Sequence, residues 1–111
     1  MFRKERFIYK ANDVQVIPPL QTQRNLDGKD AEKNGDIEAA IRLYEENVRE
    51  RFTGSHPYNR LAIIYHKQKR YEDEKRVLRT AIDVFSTINN GRKDVDPKLE
   101  KFKERLAKLE G

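Results

Sequence analysis

An all-α fold of stacked helix pairs is what this sequence predicts, and three observations carry that expectation. Charged side chains make up 39% of the 111 residues and hydrophobic ones 36%, so the core must be thin. Amphipathic helices, each burying one stripe, suit such a chain, whereas strands buried on both faces need more apolar residues than it has. Sliding the chain by 34 residues lays segment 21–54 over 55–88, and apolar positions coincide, Tyr44 over Leu78 and Val48 over Ile82. Within those segments the apolar residues recur with a helical period. One small domain fits this length.

Residues 1–19 match nothing else in the chain. Phe7, Ile8, Tyr9, Val14, Val16 and Ile17 are β-formers closed by Pro18-Pro19, which predicts an extended arm or a short hairpin. Over 20–33 the apolar positions are Leu20, Leu26 and Ala31; Gly28 weakens the helix, and Asp27 stands where a large apolar residue would help. Asn34-Gly35 breaks the chain. Asp36 then caps a helix running to about Phe52, with Ile37, Ala40, Ile41, Leu43, Tyr44 and Val48 turned inward.

Gly54 ends that helix, and Ser55 is positioned to cap the next. From His56 to Lys67, Tyr58, Leu61, Ala62 and Tyr65 fall at i, i+3, i+4 and i+7, with Pro57 tolerated in the first turn. A further helix over 71–88 carries Tyr71, Leu78, Ala81, Ile82 and Phe85 on one stripe. The stretch 89–96 reads as a loop. Asp96-Pro97 is a start signal, Asp as cap and Pro first in the helix, for a last helix over 97–111 with Leu99, Phe102, Leu106 and Leu109 on one side.

Tyr58, Leu61, Ala62, Tyr65, Tyr71, Leu78 and Ala81 stand at the spacing of the tetratricopeptide repeat signature, and Gly35-Asp36-Ile37-Glu38-Ala39-Ala40-Ile41 resembles the start of that repeat's second helix. The resemblance covers residues 21–88. Lys69 replaces the usual turn glycine, Glu74 a small residue where paired helices approach closely, and Asn47 another alanine. The resemblance implies an α-α superhelix of two helix-turn-helix repeats (21–54 and 55–88), a loop and a capping helix, with the first helix of each pair lining a concave surface. It also implies a non-enzymatic protein-interaction module, a scaffold that holds a peptide or partner helix. About three repeats are usually needed for stability, so packing of the N-terminal arm or homo-oligomer formation is expected to make up the deficit.

On that register His56, Asn59, Arg60, Ile63, His66 and Lys67 are the partner-binding candidates, opposite Tyr58, Leu61 and Tyr65. Asn59 can bond a peptide backbone, while Lys67 or Arg60 can meet a carboxylate. Ile63 argues against the terminal-carboxylate grip of some family members, which needs asparagine there. The same residues also suit an ordinary solvated helix face.

The second reading uses the net charge of +5. Segment 55–88 carries seven basic and four acidic residues, and the run His66-Lys67-Gln68-Lys69-Arg70 with Lys75, Arg76 and Arg79 invites a nucleic-acid-associated role. Against it, the flanking Tyr65 and Tyr71 occupy core positions and would be withheld from base stacking. Alternating charge is also what any solvated helix needs.

Catalysis has little support: there is no phosphate-binding glycine loop, no H-E-x-x-H and no serine elbow. With no cysteine, thiolate chemistry and Cys-based zinc sites are excluded. His56 and His66, ten residues apart on one helix and so ~15 Å apart, cannot share a metal. No cofactor is implied. The lack of cysteine, of a signal core and of any apolar run near ~20 residues leads to the expectation of a cytoplasmic protein outside the membrane.

Overall fold

The computed structural model describes residues 19–88 and 91–111, and among them every regular element is a helix: α1 (Leu20–Lys33), α2 (Ile37–Arg49), α3 (His56–Lys67), α4 (Tyr71–Ser86) and α5 (Val95–Glu110). The arm expected over 1–19 lies, apart from Pro19, outside the described residues. Each helix packs chiefly on the next in sequence. Contacts reverse the chain direction within each pair: Gln21 meets Glu50, and Gly28 faces Tyr44. Tyr58 meets Phe85 and His66 meets Glu74, while Arg79 pairs with Glu110.

Turn chemistry sets the helix ends. Asp36 Oδ1 accepts from the Ala39 N–H at 3.2 Å, the expected cap. Ser55 occupies the cap position of α3 without a side-chain hydrogen bond. Helices α1, α2 and α3 all end in the same two-bond motif. After α1, Asp36 N–H reaches Ala31 O (2.8 Å) and Gly35 N–H reaches Glu32 O (3.0 Å). The equivalent left-handed residue is Arg51 after α2 (φ 58°) and Lys69 after α3 (φ 59°). Arg51 stops α2 short of the expected Phe52. Gly35 and Lys69 stand 34 positions apart, as do the first residues of α2 and α4, Ile37 and Tyr71.

The core is one cluster spanning all the interfaces from α2 to α5. Tyr58, Leu61, Ala62 and Tyr65 are buried as expected, and so are Tyr44, Leu78, Ala81, Phe85 and Phe102. Tyr58, Phe85 and Phe102 meet edge to face, 5.3–6.3 Å apart. Burial lifts the Tyr58 phenol to about 12, although its Oη donates to Phe52 O at 2.7 Å.

Four sequence expectations need correction. Tyr71 is 41% exposed and packs edge-on against His66 rather than in the stripe; Val77 and Val84 fill α4's inner face instead. In α1, Leu20 and Leu26 point outward, at 65% and 42% exposure, and the helix buries Asn25 and Gly28. Gly28 is a requirement rather than a weakness, since a Cβ there would stand 2.4 Å from the Tyr44 ring. The last helix begins at Val95, not Pro97: Arg92 and Lys98 clasp the Asp94 carboxylate at the cap (2.7–3.0 Å), and Val95 is drawn into the core. Pro97 still lies in the first turn, where its missing N–H costs nothing.

Candidate surface around helix α3

Helix α3 has its core residues on one side and all six candidate residues on the other, and this second side is bordered by three clefts. Toward α1 and α2, Arg60, Ile63 and Lys67 join Glu32, Ile37 and Gln68 around a cleft of about 160 Å³. Toward α5, Asn59 lines a cleft of about 270 Å³ with Lys101, Glu104, Arg105 and Lys108. His66 borders an adjoining one of about 190 Å³ with Glu74, Arg105, Lys108 and Leu109.

The first side is already internally bonded. Arg60 donates twice to Glu32, at 2.6 and 3.1 Å, a two-pronged charge-assisted pair. Tyr44 Oη donates to the same carboxylate at 2.7 Å. Burial alone would raise the Glu32 carboxyl, but the bonds from Arg60 and Tyr44 outweigh it and hold the group below its ordinary value. Burial, then the bond to Glu32, pushes the Tyr44 phenol up. His56 lies half-buried, its ring 5.3 Å from that of Tyr44 and its Nε2 3.3 Å from Tyr44 Oη. Burial, followed by the nearby charges of Lys29 and Arg60, lowers its pKa. His56 and Arg60 are therefore held by the protein, while Ile63 and Lys67 complete the cleft.

On the second side Glu74 is 3% exposed, and its carboxylate meets His66 Nδ1 at 3.0 Å. The small-residue position expected between paired helices thus holds a buried acid whose neighbour is a histidine. The six candidates share one helix face but not one site. Asn59 looks toward α5 and His66 toward α4; Arg60 and Lys67 look toward α1. Sequence reading missed the α5 residues, taken there only as part of a cap. The signal was the spacing i, i+4, i+7 of Lys101, Arg105 and Lys108, hidden by the alternating charges between them.

The basic run of the second segment is largely neutralised. Arg70 pairs with Asp73, Lys75 with Glu72, Arg76 with Glu45 and Asp73, and Arg79 with Glu110. Tyr65, buried, donates to Glu45 and is covered by Arg70, 4.6 Å above its ring.

Among the described residues no group of three or more His, Asp or Glu side chains is placed to hold a metal, and no helix is long and apolar enough to cross a membrane. Comparison with protein-family models, with curated proteins and with solved structures finds no match. The functional reading therefore rests on the helices and surfaces described above.

Proposed function

We propose that this chain is a tetratricopeptide-type helical-repeat module whose role is to bind a segment of a partner protein on the exposed face of α3. The observation that carries the reading is that face itself. It presents an amide (Asn59), an isoleucine (Ile63) and cations between clefts on either side, a mixture suited to a peptide backbone and its side chains. The repeat assignment is supported by the 34-residue spacing of the turns at Gly35 and Lys69 and by the matched burial of Gly28 with Ala62 and of Tyr44 with Leu78. Self-association along α1, where Leu20 and Leu26 are exposed, is the variant of this reading in which the partner is a second copy.

The test is a peptide-array screen followed by titration of the strongest binder against the parent, Asn59→Ala and Ile63→Glu. Asn59→Ala should stay within about 0.5 kcal/mol of the parent. Ile63→Glu, at a partly buried position beside Glu32, should lower the melt while the chain still folds, and both variants should bind more weakly. Unchanged affinity in both would refute the site. A nucleic-acid role would instead give affinity that falls steeply with salt. Because five of the second segment's seven basic residues sit in ion pairs, that reading has less support.

A further inference from the structure

Nearly all the described arginines are partnered. Among the described residues Arg24, Arg49, Arg51, Arg60, Arg70, Arg76, Arg79 and Arg92 each meet a carboxylate within 4 Å. Arg42 and Arg105 do not. Arg42 is exposed on α2, open to solvent hydrogen bonding. Arg105 is different: it is half-buried and lines both clefts between α3 and α5. Lys101 and Lys108 flank it at four and three residues' distance, and neither has an ion-pair partner among the described residues. A guanidinium carries five donors in a fixed fork, and one that is half-withdrawn from water without an acceptor has unused bonding capacity.

We propose that the groove between α3 and α5 takes an acidic segment of the partner protein, with a side-chain carboxylate bound two-pronged by Arg105 and flanking carboxylates met by Lys101 and Lys108. The spacing fits an extended chain. Lys101 and Arg105 are separated by about 6 Å along the helix axis at 1.5 Å per residue. Side chains on one face of an extended peptide repeat every ~7 Å, so acids at alternate positions match. Asn59, across the cleft, supplies an amide donor and acceptor for the peptide backbone.

The pattern of charge selects a peptide over a nucleic acid. Glu104 and the buried Glu74 interrupt the cations that line these clefts. A peptide can set acids opposite the cations and neutral residues opposite the carboxylates, whereas a continuous phosphate chain meets both. The proposal rests on the α3-face reading and adds the chemistry of the ligand to it.

The test uses a labelled peptide of about twelve residues alternating glutamate and serine. A lysine–serine counterpart, a neutral pool of equal length and single-stranded polyuridine serve as comparators, all with the full chain at about 0.15 M salt. The glutamate peptide should bind, and Arg105→Ala should weaken it about tenfold, the loss of a charged hydrogen-bonded pair. Arg105→Lys should restore only part, since an ammonium cannot fork, and Arg42→Ala should change nothing. Melting curves for each variant confirm that the fold is intact. The proposal is overturned if the lysine peptide binds as well, if Arg105→Ala and Arg42→Ala act alike, or if polyuridine binds more tightly and loses affinity with Arg105→Ala. If the neutral pool binds and Ile63→Glu but not Arg105→Ala abolishes it, the acidic ligand is wrong while the peptide-binding module stands. If no peptide binds, both fall.

Discussion

Helices α1 and α2 meet through amides, ions and a glycine, whereas α3 and α4 meet mainly through tyrosine, leucine and phenylalanine, with the Glu74–His66 contact at one end. In the first pair Asn47 is fully buried; its Nδ2 donates to Gln21 O (2.8 Å) and Asn25 Oδ1 (2.9 Å), and its Oδ1 accepts from Arg24 (3.0 Å). Arg24 continues to Glu50 at 2.7 Å. In the second pair the equivalent of Asn47 is Ala81, which makes only apolar contact. Burying apolar surface is non-directional and tolerates small shifts, while a buried amide network is satisfied in one register only. The first pair is therefore defined by geometry and the second by area.

The largest effect expected from breaking this contrast is Leu61→Ala, which should cost about 2–5 kcal/mol through a core cavity. Thermal or denaturant melts measure it, and a neutral result would show the α3 register to be wrong. Next comes Asn47→Ala. Stranding Gln21 O and Asn25 should cost about 1–3 kcal/mol, and hydrogen exchange should rise in α1 before it rises in α3 or α4. Uniform loss across all helices would mean that the pairs are not distinct.

Acid should act where the two pairs meet. His56 has a lowered folded pKa, so its contribution is complete above the unfolded value of 6.5 and is lost as pH falls below it. Glu32, also lowered, contributes fully above 4.5 and loses that contribution as pH falls further. Melting temperature should thus drop in two stages on acidification. Glu32→Gln should flatten the lower stage and His56→Gln the upper, and slopes unchanged in both variants would dissociate the Glu32–Tyr44–His56 cluster from stability. The smallest effect is a gain. Lys69→Gly relieves a left-handed lysine and should stabilise the second pair by about 0.5–1 kcal/mol, making its turn chemically equivalent to that at Gly35; a loss on melting would contradict this.

The legibility of the two pairs in sequence differs for the same reason. Tyr58, Leu61, Ala62 and Tyr65 advertise α3 by their period, and its limits were readable to the residue. Helix α1 was faint because its buried face consists of Asn25 and Gly28, residues that no hydrophobic pattern counts, while its leucines face outward. Tyr71 misled because an aromatic at a stripe position is equally able to cover a neighbouring histidine. The six candidate residues do share one face of α3, as periodicity alone requires. That Arg60 is bound to Glu32, and that Arg105 waits beside Asn59, depends on pairs 28 and 46 positions apart in the chain.

Local spacing, caps and turns determined that this chain makes helices and roughly where each begins, because those depend on neighbours within four residues. Which polar side chains would be spent on one another and which left for a ligand was decided only when distant helices met. Charge pairing is a property of three-dimensional distance, and distance across a helix interface is not written in residue order.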